Sequence, residues 1–321
     1  MHASPPPSVQ VDRRDLIGLR NAARGLRLRV ERPVGSPLTG VQRSRLRGRG
    51  MDYLESRHYQ AGDDVRSMDW RVTARAGAPY VKLYVEERER PVVVVVDLGP
   101  GMFFATRGAF KSVVAARAAA LIGWAAVAHG DRIGALVLDD GHQELKPRGG
   151  RRGVLTLIDA LARAGTLEAT PRRANPVDFD AALERLRRVA RPGSLLVLIS
   201  DFLALGDLAR HHLTELKRHN ELLAIQVSDP LELAIPVPGE YGISDGQRRT
   251  LLNLRDDTPR QRFHAYFAER HLRARALFDG LRVPRLRLRT TDDLALMLRR
   301  GLSGRGDLAG GDPESVGEPS P

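Results

Sequence analysis

Hydrophobic positions along the chain fall into two patterns. The first is the unbroken run: PVVVVV before Asp97, RIGALVL over 132–138, SLLVLIS over 194–200 and ELLAIQV over 221–227. Each has the length of one strand and no polar alternation, as expected of parallel strands covered by helices on both faces. The second is the three-to-four spacing of amphipathic or Ala-rich helices, over 108–129, 154–164, 178–190, 206–219 and 259–278. A short strand over 285–289 and a helix over 291–300 close the series. Strands alternating with helices predict an α/β fold with a doubly wound, mostly parallel sheet. Smaller features complete it: an edge strand over 142–146, a Gly- and Arg-rich loop over 148–153, a Pro- and Arg-rich connection over 166–176, and a hairpin excursion over 231–257 turning at Ser244-Asp245-Gly246.

Ahead of the valine run the pattern is polar. Leu16, Leu19, Ala23 and Leu26 have helical spacing over 14–28. Residues 33–50 are rich in Gly, Ser and Arg, with arginines alternating at 43, 45, 47 and 49. The stretch ESRHYQAGDDVRSMDWRVTARAG (55–77) predicts a turn at Gly62-Asp63 and a short helix capped by Asp63 or Asp64 and ended near Gly77. Met68, Trp70, Val72 and Ala74 are its expected inward side chains, with Arg66 pairing Asp69. Residues 79–87 alternate as an edge strand, and Glu86–Arg90 reads as a solvated connection. The expected organisation is a disordered 1–12, a region 13–90 packed on the sheet, a sheet domain over 91–300 and a disordered tail over 301–321.

Composition narrows the chemistry. The 321 residues contain no cysteine, which excludes disulfides, thiolate metal sites and a cysteine nucleophile. The start of the chain lacks the apolar core of a signal peptide, and the apolar run 118–128 is too short to span a bilayer, so a cytoplasmic chain with no membrane insertion is expected. Net charge is +12 and only four cations are lysine (Lys82, Lys111, Lys146, Lys217). Arginine grips phosphate well, but few aromatics accompany the arginines to stack on bases, which argues against a nucleic-acid partner.

Candidate chemistry gathers where strands end. Asp97, Asp201, Asp229 and the Asp139-Asp140 pair each follow a buried strand, and an open parallel sheet binds ligands beyond the carboxyl ends of its strands. Asp97 either caps the Gly-Pro-Gly turn that follows or faces that crevice. Carboxylates collected at one sheet edge suit Mg²⁺, a hard cation that takes oxygen ligands and keeps waters.

The order Arg47-Gly-Arg-Gly, then Arg57, Tyr59, Gly62, Asp63, Asp64, Arg66, Asp69, Trp70, Arg71 and Arg75, then Lys82 and Glu87, resembles the signature of the domain of unknown function 58 family. The match continues through Phe110-Lys111-Ser112, Gly130-Asp131-Arg132 and Ser228-Asp229-Pro230. The resemblance implies a von Willebrand factor A-like domain carrying a family-specific N-terminal region. It also implies a partnership with a MoxR-type AAA+ ATPase and a client protein, as an adaptor and not an enzyme. In von Willebrand factor A domains an ion sits on an Asp-x-Ser-x-Ser turn, a Thr and a further Asp. Here Asp97 and Asp201 take the two Asp positions, while Gly99 and Gly101 replace the serines and Val177 replaces the Thr. The implied ion site is degenerate, holding either no cofactor or weakly bound Mg²⁺ on Asp97 and Asp201. The resulting expectation is a non-enzymatic adaptor docking through this loop, with the Arg-rich 148–152 meeting acidic partner surface. The alternatives are a Mg²⁺-dependent phosphoryl hydrolase in which Asp63, Asp64 and Asp69 join Asp97, and an Arg-rich nucleic-acid-binding protein.

Overall fold

The structure is a computed structural model and describes residues 8–28, 51–60, 63–86, 89–139, 142–166, 177–244 and 249–302. The chain divides into two compact units, Glu31–Glu89 and a larger one that joins Met1–Val30 to Arg90–Pro321. The boundary therefore differs from the expected 13–90. Helix α1 (Arg13–Gly18), capped by Asp12, buries Leu16, and the turns after it bury Ala23 and Leu26 in the larger unit's core. The Trp124 indole N–H donates to the Leu16 carbonyl at 3.1 Å. Order also begins earlier than residue 13. The Ser8 carbonyl accepts from the Phe110 N–H at 2.8 Å, and Val11 is buried while its N–H donates to the Gly165 carbonyl at 3.2 Å.

In the smaller unit, β1 (Met51–His58) pairs antiparallel with β2 (Tyr80–Glu86). Strand β1 lies in a polar stretch whose pattern predicts no strand. Between the strands lie a single 3₁₀ turn (Val65–Ser67) and helix α2 (Trp70–Ala76), ended by Gly77 at φ 65°. The left-handed conformation favours glycine there. Trp70 and Ala74 point outward, contrary to expectation. Their two-residue alternation with Met68 and Val72 would share a face only in a strand, whereas a helix turns 3.6 residues per turn. Val72 and Thr73 are the less exposed positions, and the Thr73 hydroxyl accepts from the Tyr80 N–H at 3.0 Å.

The larger unit runs β3 (Pro91–Asp97), α3 (Lys111–Ala128), β4 (Arg132–Leu138), β5 (Gln143–Gly149), α4 (Gly150–Ala164), α5 (Phe179–Val189), β6 (Leu195–Ser200), α6 (Ala209–His219), β7 (Glu221–Ser228), α7 (Pro230–Leu233), β8 (Glu240–Ser244), β9 (Arg249–Asn253), α8 (Asp257–Gly280), β10 (Arg285–Arg289) and α9 (Leu294–Leu302). Six strands form one sheet in the order β10-β7-β6-β3-β4-β5, parallel except for β5 at one edge, and β8–β9 is a separate hairpin. This is the doubly wound, mostly parallel α/β sheet that the runs predict. The valines of β3 serve both faces, as a period of two requires. Val92, Val94 and Val96 pack with α1, α3, α4 and α9, and Val93 and Val95 with α5, α6 and α8.

Helix α3 is buried nearly all round, so its apolar residues show no single stripe. It is long and apolar enough to cross a membrane by length and composition, a longer element than the 118–128 run suggested, and 83% of it is buried within the fold. Residues 148–153 are not a loop. Strand β5 runs to Gly149, and Gly150, at φ 64°, turns the chain straight into α4. Arginines in a helix's first turn oppose its dipole, which is why the stretch reads as a loop. At the other end, Leu302 closes α9 as a buried residue, so order passes residue 300. The expected hairpin turn includes residues 245 and 246, and the expected tail includes 303–321; these lie outside the described residues.

Candidate functional site

The sheet order reverses between β3 and β6: α3 and β4 lie to one side of β3, and β7 and β10 follow β6 on the other. That switch point opens a crevice at the carboxyl ends of the two strands. Asp97 ends β3 and Asp201 follows β6, so register alone brings the two acids together. Gly99, Gly101 and Val177 converge on the same place. A Cβ at Gly99 would lie 2.5 Å from Val177 Cγ2, so the valine fills the space a serine side chain would need. A Cβ at Gly101 would lie 3.6 Å from Asp201 Oδ2.

Both carboxylates are buried and each oxygen has an internal donor. The Gly99 N–H donates to Asp97 Oδ1 at 2.9 Å, and the Ser200 hydroxyl to Asp97 Oδ2 at 2.6 Å. The Leu203 N–H donates to Asp201 Oδ1 at 3.0 Å, and the Lys111 ammonium to Asp201 Oδ2 at 2.8 Å. Lys111 Nζ also donates to Glu232 Oε1 at 2.6 Å. The lysine side chain is 1% exposed, and its position at the start of an Ala-rich core helix delivers the ammonium to the crevice from below. Glu232 is held in turn by a capping box on α7: its Oε2 accepts from the Asp229 N–H at 2.9 Å. Asp229, fully buried, accepts from the Thr106 N–H and hydroxyl and from the Thr290 hydroxyl, at 2.8, 2.6 and 3.0 Å. It thereby ties the loop after β3 to the end of β10.

The electrostatics follow from burial. Burial pushes Asp97 up to about 6, aided by the negative charge of Asp201 and opposed by its hydrogen bonds to Ser200 and Gly99. Burial also disfavours the Lys111 ammonium, but Asp201 and Glu232 outweigh it and hold the amine above its ordinary value. Burial raises Glu232, with Lys111 pulling the other way. His271, on α8, is pushed down to about 4, chiefly by burial. Its Nδ1 lies 2.8 Å from Gln226 Nε2, while the buried Nε2 has no hydrogen-bond partner. Phe202, the residue after Asp201, has φ 57°, a strained conformation for an aromatic residue. Its ring is locked between Phe179 and Phe278, with centroids 5.7 and 4.8 Å away.

Of the two alternatives the resemblance implies, no cofactor or weakly bound Mg²⁺ on Asp97 and Asp201, the chemistry of these residues does not fit the ion. Mg²⁺ demands a near-octahedral oxygen set, and all four oxygens of this pair already accept internal hydrogen bonds. A lysine ammonium stands against Asp201, and Val177 blocks the ligand position at 99. Among the described residues no group of three or more His, Cys, Asp or Glu is arranged to hold a metal.

The other predicted residues lie in the smaller unit. Asp63 pairs with Arg57 at 2.7 Å and accepts from the Gln60 N–H; Asp64 caps the turn 65–67; Asp69 caps α2 and accepts from the Ser56 hydroxyl at 2.7 Å. All three acids hold local structure, and Asp69 takes Ser56 instead of the expected Arg66. Tyr59 sits beside this turn with its N–H on the Pro79 carbonyl. Arg66, Trp70, Arg71 and Arg75 are exposed. Gly62 and Glu87 lie outside the described residues. Sequence reasoning missed Lys111 and Glu232 as site residues. Two signals were available: a lysine opening an apolar helix in a chain with only four lysines, and Asp-x-x-Glu at 229–232, a capping-box spacing.

A charged crevice at the switch point of a doubly wound, mostly parallel α/β sheet defines the class. The chain belongs to the family described as Protein of unknown function DUF58, whose profile matches residues 55–275. The uncharacterized proteins Rv1480 of Mycobacterium tuberculosis (strain ATCC 25618 / H37Rv) and Mb1516 of Mycobacterium bovis are each 34% identical over 314 residues, covering 95% of this chain and 96% of their own. Among solved structures, the conserved hypothetical protein BatB of Bacteroides thetaiotaomicron is similar at 11% identity, covering 67% of this chain and 97% of that one, with a TM-score of 0.41. A von Willebrand factor type A protein from Catenulispora acidiphila is similar at 7% identity, covering 68% and 44%, with a TM-score of 0.35.

Proposed function

We propose that the chain is a non-enzymatic adaptor or assembly factor that works in the cytoplasm with a MoxR-type AAA+ ATPase and a client protein. The partner class rests on the family resemblance. The observation that carries the adaptor reading is the closed state of the crevice: Lys111 sits between Asp201 and Glu232, and every oxygen of Asp97 and Asp201 has an internal donor. A hydrolase would need an activated water or nucleophile with a free general base, and these buried groups hold one another instead. What the crevice offers a partner is the loop from Asp97 to Phe103, with Gly101 exposed at its tip. Contact through that loop is direct and needs no bridging cation.

The test is association of the purified chain with a purified MoxR-type ATPase, in ATP and in ADP, with and without chelator. The expected result is binding in at least one nucleotide state, unchanged by chelator and lost in Gly101→Trp, whose backbone accepts a side chain without strain. No association in either state would refute the proposal, and chelator-sensitive association would refute the ion-free contact.

A further inference from the structure

We propose that the outward face of α2 with the turn before it is a docking surface for an acidic polypeptide segment bearing an apolar side chain. The residues are Trp70, Arg71 and Arg75 on the helix and Val65 and Arg66 on the turn. Trp70 is 65% exposed and Val65 56%. An indole of roughly 200 Å² left mostly in water is an uncommon expense for a folded surface, and Trp with Arg is the pair most enriched at interface hot spots.

The surroundings say what would cover it. Asp63, Asp64 and Asp69, the acids of the same stretch, are each engaged in capping or pairing inside the unit. Arg66, Arg71 and Arg75 are exposed and form no ion pair among the described residues. Positions 70, 71, 74 and 75 share one face of a helix, and Ala74 keeps that face low beside the indole. The segment is also rigid beyond its length. A seven-residue helix does not hold alone, but Asp69 caps it, Gly77 ends it, and Thr73 pins it to β2. A preorganised aromatic sharing its surface with three arginines that form no ion pair among the described residues is complementary to carboxylates around an apolar side chain. Single-stranded nucleic acid is the less favoured occupant. Binding it requires successive aromatic faces, and the second apolar residue here is a valine.

The chain contains two tryptophans, and Trp124 is buried, so Trp70 reports on its own surface. The probe is a synthetic Glu-rich peptide with one central Leu, titrated against the full chain at low ionic strength while Trp emission is followed. A Lys-rich peptide and oligo-dT are the comparisons. The expected result is a saturable emission change with the Glu/Leu peptide that weakens with salt. Anisotropy of a dye-labelled copy of the peptide, a readout that survives loss of the indole, should show binding at least about tenfold weaker in Trp70→Ala and in the Arg66→Ala, Arg71→Ala, Arg75→Ala triple variant, both retaining the thermal midpoint of the parent. Absence of binding, equal binding by both variants, or tighter binding of oligo-dT at matched charge would overturn the proposal.

Discussion

Replacing Lys111 by Met removes one buried charge while keeping an unbranched stem of similar volume, so packing changes little. Asp201 and Glu232, both buried, lose the ammonium that each holds at 2.8 and 2.6 Å. Removing one partner of a buried ion pair costs about 3–5 kcal/mol, and here one cation serves two acids, which places the loss at the upper end. For a unit of this size each kcal/mol lowers the melting midpoint by about 2–4 °C, so the fall is on the order of 10–20 °C. The pH dependence separates charge from packing. In the variant the stranded carboxylates take up protons as pH falls, so the deficit should shrink steadily from neutral pH to about pH 5. Urea midpoints of the parent and Lys111→Met at matched pH give the difference directly. A loss under about 1 kcal/mol at neutral pH, or one independent of pH, would refute an ammonium that neutralises the crevice.

The crevice makes further predictions. Isothermal titration of Mg²⁺ into the chelator-treated parent should be flat, whereas Lys111→Ala, which leaves Asp201 and Glu232 around a vacated cation position, should gain a divalent-dependent rise in melting midpoint. Asp97, held at about 6, takes up its proton in the folded state before the unfolded chain does, so it adds stability as pH falls from about 6 to 4. His271, held at about 4, does the reverse: the unfolded chain is protonated first, so stability is lost as pH falls from about 6.5 to 4. Each contribution is about 3 kcal/mol and of opposite sign, so His271→Leu should become more stable on acidification over this window and Asp97→Asn less stable, relative to the parent. Urea midpoints across the window check both slopes. Asp229→Ala strips the acceptor from Thr106 and Thr290, and should both destabilise the fold by about 2–3 kcal/mol and speed amide exchange in the loop after β3.

The sheet was legible because burial writes itself into composition. A strand covered on both faces is nearly all apolar, with polar residues such as Ser200 and Gln226 entering only where hydrogen-bond partners meet them, and the runs at 92–96, 132–138, 194–200 and 221–227 match β3, β4, β6 and β7 to within about a residue. Topology then placed Asp97 and Asp201 at one edge. Elements that rest on caps and turns were harder to read. Strand β1 carries polar residues, and α4 starts on arginines after a glycine pair. Helix α2 follows a two-residue alternation that mimics a strand. Lys111 was illegible for a different reason. Its partners come from 90 and 121 residues further along the chain, and only the fold brings them together.

The crevice can be understood as a charge-balance problem solved from within. Two carboxylates forced together at a switch point require a cation, because burial already lifts Asp97 and a second ionised acid nearby lifts it further. A divalent ion would neutralise them but would leave the site subject to metal supply and to exchange with solvent. An ammonium tethered to a core helix neutralises the same acids permanently and recruits Glu232 as a third member. Once the cation is covalent, serine and threonine ligands have no electrostatic role, and Gly99 with Val177 closes the space by packing. Three departures from an ion-binding turn are thereby accounted for by one residue, Lys111. The three departures are therefore interdependent: restoring Gly99→Ser together with Val177→Thr should create no ion site while Lys111 remains, and should strengthen Mg²⁺ binding only in the Lys111→Ala background. Metal binding by the double variant with Lys111 intact would show that the ammonium does not occupy the cation's place.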